Sequence, residues 1–216
     1  MKTVTGLRAA KSELRNRIRR SRAGLDDAQR RQLDAAINGH LLEFADRTQP
    51  RVVAAYLAFD GEPDLAPALN ALERRGVRLA APVVDTADGC AAIRLRQWSS
   101  DVSLRPNRFG IEEPHDSPEV PLGDVDLALI PLVAWDAAGG RLGMGASFYD
   151  RLLQPFAQAD RPLRMGVGYR AQQVASVPLE PWDVRLHWML TDDGCVDCRS
   201  RPQPDAAPFL THGPGR

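Results

Sequence analysis

A glycine-rich segment at residues 140–151, reading G-R-L-G-M-G-A-S-F-Y-D-R, restricts what this chain can fold into. Glycine loses more backbone freedom on ordering than any other residue, so three glycines within six residues are costly inside a helix or a strand. Residues 127–135 form an apolar run with the composition of a strand buried on both faces. Residues 148–156 predict a helix with Ser147 as its N-cap.

The order of strand, glycine loop and helix is typical of a phosphate-binding site. Such a loop directs backbone N–H groups and the positive end of a helix at an anion, and Arg141 adds a mobile charge. A tight turn between two core elements is the alternative. Two common phosphate motifs do not fit. G-x-G-x-x-G has Phe148 in place of its third glycine, and the P-loop pattern has Ala146 in place of its lysine.

Charge and composition exclude other classes of protein. The formal net charge is zero and the pI is near 6.9, which argues against a protein built mainly to bind nucleic acid. No run approaches the roughly 20 apolar residues of a membrane helix, and the first 25 residues lack the apolar core of a signal peptide. We therefore expect a cytoplasmic protein without a membrane partner.

The cysteines agree with a reducing compartment. Cys195 and Cys198 form a C-x-x-C pair, but no second pair is present to complete a structural zinc site, and Cys90 is remote in sequence. We predict no metal or redox role for them.

Helical and strand patterns alternate along the chain and predict an α/β fold. The strands are expected at 52–59, 77–84, 91–98, 127–135, 164–169 and 186–191, with helices at 7–21, after Asp26, at 65–75 and at 148–156. This alternation predicts a three-layer sandwich with a mostly parallel central sheet. We expect one domain at 1–197 and a disordered tail at 198–216, where proline and polar residues dominate.

The first predicted helix carries a basic ridge formed by Lys11, Arg15, Arg19 and Arg22. A solvated basic face is the common explanation of such a ridge. However, 26 of the 28 basic residues are arginine. A lysine within this helix therefore indicates a place where a compact ammonium group is required, as it is against a phosphate.

These segments resemble the 5-formyltetrahydrofolate cyclo-ligase family, whose members are also called methenyltetrahydrofolate synthetases. The family segment R-L-G-x-G-x-G-[YF]-Y-D-R corresponds to residues 141–151, and its N-terminal K-x-x-[LM]-R corresponds to residues 11–15. Residues 108–114, R-F-G-I-E-E-P, are similar to a family segment of the form G-I-x-E-P, although no role follows for them. The resemblance implies a fold similar to the NagB/RpiA/CoA-transferase-like fold.

The resemblance also implies an activity: ATP- and Mg²⁺-dependent cyclisation of 5-formyltetrahydrofolate to 5,10-methenyltetrahydrofolate, with release of ADP and phosphate. The enzyme is expected to be a monomer that acts on small molecules and not on nucleic acid. The implied site residues are Lys11, Arg141 and Tyr149 in catalysis; Leu57 and Glu62 against the folate; Asp150 and Asp183 at magnesium; and Lys11, Arg15, Arg141, Leu142, Gly143, Met144, Gly145, Ala146, Ser147, Phe148 and Tyr149 around ATP.

Two positions depart from the family pattern. Ala146-Ser147 stands where the family usually ends its loop in glycine, and a positive φ at Ser147 would cost about 1 kcal/mol or more. His187 stands where many members have an aspartate. A second hypothesis is therefore a relative with altered or lost activity that still binds folate or nucleotide. A third is a nucleic-acid-binding protein that uses the basic N-terminal helix.

Overall fold

The computed structural model describes residues 4–85 and 92–200. Its α-helices are α1 (Val4–Ala23), α2 (Asp27–Thr48), α3 (Ala66–Arg74) and α4 (Phe148–Leu153). Its strands are β1 (Val52–Ala54), β2 (Arg78–Asp85), β3 (Ala92–Trp98), β4 (Leu104–Pro106), β5 (Glu112–Pro114), β6 (Leu127–Pro131), β7 (Ala134–Trp135), β8 (Arg141–Leu142), β9 (Leu163–Val167), β10 (Trp188–Thr191) and β11 (Gly194–Asp197).

The central sheet has seven strands in the order β11-β10-β9-β6-β1-β2-β3. The five inner strands run parallel to one another, and the edge strands β3 and β11 are antiparallel to their neighbours. Parallel strands need helical crossovers on both faces of the sheet, which the alternating sequence pattern supplies. The prediction of a three-layer α/β fold with a mostly parallel sheet is confirmed.

Alternate residues of the inner strands enter two different cores. In β1, Val53 packs in the core that α2 and α3 cover, whereas Val52 and Ala54 pack in the core on the opposite face, together with Leu153 of α4. The capping box that begins α2 is present, because the Asp26 side chain accepts a hydrogen bond from the Gln29 backbone N–H at 2.8 Å.

Helix α1 packs outside the sheet, against the hairpin of β7 and β8. Its Ile18 is buried with Val133, Ala134, Leu142 and Val177. The glycine loop begins where β8 ends. The packing of Ile18 against the β7–β8 hairpin therefore brings the basic ridge of α1 beside the glycine loop.

The predicted strand at 127–135 is interrupted. Strand β6 ends at Pro131, and Ala134 and Trp135 form β7, which pairs with β8, so the glycine loop follows a hairpin and not the buried strand. A side chain causes this break. The Gln172 amide donates hydrogen bonds to the carbonyl oxygens of Leu132 (3.1 Å) and Val133 (2.9 Å) and ends the ladder there.

Other boundaries also differ from the predictions. Strand β1 ends at Ala54 and not at 59, because the following residues leave the sheet to line a cleft. Helix α4 ends at Leu153, and a 3-10 turn containing Pro155 follows. Ser147 occupies the N-cap position but makes no capping bond. Strand β11, which the sequence did not indicate, completes a hairpin with β10 through Gly194, whose φ is +122°.

The expected tail at 198–216 falls mostly on residues 201–216, which lie outside the described residues, as does Cys90. Its first residue, Cys198, is buried and donates its backbone N–H to the His187 carbonyl oxygen at 2.9 Å. Both Cys195 and Cys198 are free thiols. Within residues 4–85 and 92–200, no helix combines the length and the apolar character needed to cross a membrane.

Candidate active site

A cleft of about 410 Å³ opens where the parallel strands β1, β2 and β6 end. The carboxyl edge of a parallel sheet is the usual binding position in α/β folds. The structure places all fifteen residues that the sequence assigned to the site around this cleft: Lys11, Arg15, Leu57, Glu62, Arg141, Leu142, Gly143, Met144, Gly145, Ala146, Ser147, Phe148, Tyr149, Asp150 and Asp183.

The glycine loop forms one wall of the cleft with a backbone that favours glycine. Gly145 has φ +112°, and Ser147 also adopts a left-handed conformation with φ +51°. The loop is tied to α1, because Arg15 Nε donates to the Gly143 carbonyl oxygen at 2.8 Å. The N-terminal basic segment and the glycine loop therefore meet at one place, although they are 128 residues apart in sequence.

A buried aspartate supports the turn beneath this loop. Asp136 Oδ1 accepts the backbone N–H groups of Ala138 (3.0 Å) and Gly140 (2.9 Å), and its Oδ2 accepts that of Val177 at 2.8 Å. A Cβ atom at position 140 would lie 2.5 Å from Asp136 Oδ2. Glycine is therefore required at position 140 for close approach to this carboxylate.

Arg141 is fixed in place, which corrects the prediction of a mobile charge. Its guanidinium donates to the Asp150 carboxylate and to the Val184 carbonyl oxygen, and the residue is 6% exposed. Burial lowers the pKa of Arg141, while the Asp150 and Asp183 carboxylates counteract that effect. The bonds from Arg141 to Asp150 and Val184 hold together β8, the first turn of α4 and the segment after Asp183.

Lys11 lies against two carboxylates from the other end of the chain. Its Nζ is 2.8 Å from Glu180 Oε2 and 2.9 Å from Asp183 Oδ2. Burial lowers the pKa of Lys11, but the hydrogen bonds to Glu180 and Asp183 outweigh it and hold the pKa above its ordinary value. Because Lys11 and Arg22 are both buried, the explanation of this ridge as a solvated face is wrong for these two residues. No sequence motif or spacing indicated Glu180.

The wall opposite the glycine loop is largely apolar. Phe109 and Ile111 lie in the hairpin of β4 and β5, which the sequence showed only as a proline-containing loop. Glu113 fixes this hairpin, because its Oε1 accepts the Val84 backbone N–H at 2.8 Å and the Asn107 side-chain amide at 2.7 Å. Leu57, Phe109 and Ile111 together provide apolar walls for a flat ring. The cations of the cleft lie next to these walls.

Comparisons with known proteins show to which family the chain belongs. Residues 7–192 match the model of the 5-formyltetrahydrofolate cyclo-ligase family. This chain belongs to that family. A 5-formyltetrahydrofolate cyclo-ligase from Haemophilus influenzae is 34% identical over 178 residues, which are 82% of this chain and 94% of the relative. The cyclo-ligase of Escherichia coli K12 is 34% identical over 176 residues, or 81% and 96% of the two chains.

The same family assignment follows from a solved structure. The NMR structure of Aquifex aeolicus 5,10-methenyltetrahydrofolate synthetase superposes with a TM-score of 0.75 at 30% identity, and the match covers 94% of this chain and 99% of that chain. The family and the enzyme class indicated by the two sequence motifs are thus confirmed.

The cyclo-ligase cleft has donors that fit magnesium. Mg²⁺ prefers one or two carboxylates and completes its shell with waters and substrate phosphates. Asp150 and Asp183 both line the cleft, and the backbone N–H of Val184 donates to Asp150 Oδ1 at 3.2 Å, which brings the two carboxylate segments together. One oxygen of each carboxylate, Oδ2 of Asp150 and Oδ1 of Asp183, has no hydrogen-bond partner among the described residues. This donor set suits a metal that is bound mainly through nucleotide phosphates.

His187, the second departure from the cyclo-ligase pattern, is not a residue of the cleft. It is 7% exposed, its Nδ1 accepts the Arg164 backbone N–H at 3.3 Å, and its Nε2 contacts the Arg164 guanidinium. Burial, together with the charges of Arg164 and Arg199, lowers the pKa of His187 to about 4. It is therefore a neutral packing residue at neutral pH.

Glu62 is predicted to make the stability of this cyclo-ligase-family protein depend on pH. Burial raises its pKa to about 7, although its Oε2 accepts the Phe59 backbone N–H at 3.2 Å. Because the folded protein holds this proton more tightly than the unfolded chain, the resulting stability is complete below the ordinary pKa of 4.5 and is lost as the pH rises through about 7.

We therefore expect Glu62→Gln to gain roughly 1 to 3 kcal/mol relative to the wild type between pH 5 and pH 8. Urea unfolding at several pH values measures the difference in the free energy of unfolding. Glu13→Gln, at an exposed position of α1, is the matched control. A difference between wild type and Glu62→Gln that stays constant with pH would contradict the prediction.

Proposed function

We propose that this chain catalyses the ATP- and Mg²⁺-dependent cyclisation of 5-formyltetrahydrofolate to 5,10-methenyltetrahydrofolate, with release of ADP and phosphate. The observation that carries the proposal is the contact between the N-terminal cations and the glycine loop, with Arg15 Nε 2.8 Å from the Gly143 carbonyl oxygen. This contact lies on the same cleft as Leu57 and Glu62, the positions proposed to contact the folate.

The reaction needs activation of an oxygen that is otherwise a poor leaving group. Transfer of the γ-phosphoryl group of ATP to the formyl oxygen releases ADP. The neighbouring N10 amine then attacks the formyl carbon, loses its proton, and expels the oxygen as part of inorganic phosphate. Phosphoryl transfer asks a protein mainly for positioning and for stabilisation of charge, which this cleft can supply without a nucleophilic side chain.

The proposed roles follow from what each group can do where it lies. Lys11 and Arg15 neutralise phosphate charge, and the backbone N–H groups of residues 143–147 bind phosphate oxygens. Arg141 holds the Asp150 carboxylate in position, and Tyr149 walls the space between nucleotide and pterin. Magnesium bound at Asp150 and Asp183 would supply further positive charge to the phosphates.

The positions of the basic side chains of α1 do not support the hypothesis of a nucleic-acid-binding protein. Lys11 and Arg22, two of the four residues of the basic ridge, are buried and bonded to carboxylate or carbonyl oxygens. Arg15 is committed to the loop. The zero net charge also favours a small-molecule partner.

Turnover of 5-formyltetrahydrofolate tests the proposal. We expect the absorbance of the methenyl product to rise when the protein is mixed with this substrate and Mg-ATP, and to stay flat when ATP is omitted or the metal is chelated. Bound folate without any turnover would favour the alternative, a family relative with lost activity. One observation gives that alternative weight: Ser147 takes a backbone conformation that favours glycine, with φ +51°.

A further inference from the structure

A second cleft, of about 420 Å³, lies between α1, α2 and the segment after β1. We call it the arginine cleft, and its lining residues are Asn16, Arg19, Arg20, Arg22, Ala23, Arg30, Asp60 and Gly61. Asp60 also lines the catalytic cleft, so the two clefts share a wall. No residue assigned to the proposed reaction lies in the arginine cleft.

The arginine cleft carries an excess of positive charge. Four arginines line it, and Asp60 is the single carboxylate among its lining residues in the described structure. Asp60 Oδ2 is 2.9 Å from Arg19 Nη2 and 3.3 Å from Arg22 Nη2, so one carboxylate serves two guanidinium groups. The Arg20 side chain has no hydrogen-bond or ion-pair partner within the described ranges, although the Arg20 backbone carbonyl oxygen accepts the Gly24 N–H at 3.1 Å. Such an excess attracts anions.

One nitrogen of a buried guanidinium group in this cleft, Arg22 Nη1, lacks a hydrogen-bond partner among the described residues. The Arg22 side chain is 3% exposed. Its Nη2 donates to the Asp60 carbonyl oxygen at 2.6 Å, but Nη1 is buried and has no hydrogen-bond partner among the described residues. Buried charged donors are normally satisfied, because an unmade hydrogen bond forfeits the solvation that the group had in water. An oxyanion is a natural partner for a guanidinium nitrogen of this kind.

Arg30, another arginine of the cleft, binds two backbone carbonyl groups beside the Arg22 side chain. Arg30 Nη1 donates to the Gly61 carbonyl oxygen at 3.0 Å, and Arg30 Nη2 donates to the Arg22 carbonyl oxygen at 3.4 Å. Gly61 has φ +74°, and a Cβ atom there would lie 2.8 Å from Arg30 Nη1. The carbonyl oxygens of Gly61 and Arg22 thus hold the Arg30 guanidinium in place at one side of the cleft.

We propose that the arginine cleft binds the carboxylates of the glutamyl tail of a folate substrate. The inference rests on the proposed function. Residues 57–62 support it, because Leu57 and Glu62 line the catalytic cleft while Asp60 and Gly61 between them line the arginine cleft. A folate whose ring occupies the first cleft ends in a glutamate bearing carboxylates, and the planar guanidinium group matches a carboxylate in two parallel hydrogen bonds. Inorganic phosphate shares this chemistry and is the competing occupant.

The test compares substrates that differ only in their tails. Steady-state kinetics are measured with 5-formyltetrahydropteroate, which has no glutamate, and with 5-formyltetrahydrofolate carrying one or three glutamyl residues. The double variant Arg19→Gln/Arg20→Gln removes two exposed charges of the cleft, and Arg17→Gln, at an exposed position of α1 outside the cleft, is the matched control.

We expect the double variant to raise KM for the triglutamate substrate roughly 10-fold, with kcat unchanged and with no change in KM for the pteroate. Arg17→Gln is expected to leave all three KM values as in the wild type. Added NaCl should reduce the advantage of the triglutamate substrate, because screening weakens exposed charge pairs.

Three results would count against these ideas in different ways. Equal KM values for all three substrates, or an equal change in all of them in the double variant, would overturn the arginine-cleft proposal while the activity stands. Inorganic phosphate that inhibits the pteroate and triglutamate substrates equally, with the inhibition lost in the double variant, would make the cleft a site for free anions and would also overturn it. A wild type that turns over none of the substrates would overturn the proposed function itself.

Discussion

Lys11→Ala is expected to lower kcat/KM for ATP roughly 100-fold or more, because removal of one preorganised charge from a phosphoryl-transfer site has effects of that order. Lys11 lines the cleft beside the glycine loop, and no other lysine is present among the residues that line it. Arg15 keeps its own place at the phosphates, because its Nε is bonded to the Gly143 carbonyl oxygen, and Arg141 is bonded to Asp150. Neither guanidinium group therefore moves into the position of the lost ammonium group without breaking these contacts. Steady-state kinetics at saturating folate and varied Mg-ATP measure the effect.

The same substitution also removes the cation between two carboxylates, and this structural effect must be separated from the catalytic one. Glu180 and Asp183 would remain side by side, since the Glu180 backbone N–H donates to Asp183 Oδ2 at 2.9 Å. The double variant Lys11→Ala/Glu180→Gln removes that repulsion. We expect it to recover thermal stability without recovering activity. Arg17→Ala, on the exposed part of α1, is the control for loss of a basic residue.

An unchanged dependence on ATP in Lys11→Ala would contradict the proposed active centre. Lys11 would then be a structural ion pair that ties α1 to the segment before β10. Recovery of full activity in the double variant would lead to the same conclusion, because the loss in the single variant would have come from the unpaired carboxylates.

The parts of the site that the sequence predicted are local in sequence. Residues 11–15 and 141–151 each form a compact motif with a recognisable spacing, and alternation of apolar runs indicated the layers of the fold. The contacts that make these motifs one site are not local. Lys11 meets Glu180 and Asp183 across 169 and 172 residues, and no periodicity records such a pairing. Glu180 therefore could not be identified.

Side chains that end or redirect the backbone caused the errors in the predicted strands. The apolar run at 127–135 has the composition of one continuous strand, but the Gln172 amide binds the Leu132 and Val133 carbonyl oxygens and diverts the chain into the hairpin of β7 and β8. An amide 39 or 40 residues away leaves no mark on the local pattern. The Phe109 and Ile111 wall was missed for a similar reason, because β4 and β5 are only three residues each.

Asp136 is a further residue whose contacts are distant in sequence, because its Oδ2 accepts the Val177 N–H across 41 residues. Its substitution is the prediction with the largest expected effect on stability. We expect Asp136→Asn to lower the free energy of unfolding by roughly 2 to 4 kcal/mol, although the two side chains have almost the same shape. Both carboxylate oxygens of Asp136 accept backbone N–H groups: Oδ1 those of Ala138 and Gly140, and Oδ2 that of Val177. Whichever oxygen becomes NH₂, a donor then faces a buried donor.

Urea unfolding of wild type and Asp136→Asn measures this loss, and Asp124→Asn, at an exposed position, is the control for the same chemical change. Asp136 supports the turn at Gly140, where a Cβ atom would come within 2.5 Å of its Oδ2, so Gly140→Ala is expected to cause a comparable loss. In both variants the fraction that remains folded should bind Mg-ATP more weakly, because the loop at 143–147 begins directly after this turn. If Asp136→Asn matched Asp124→Asn in stability, the glycine loop would owe its geometry to the β7–β8 pairing and not to this carboxylate.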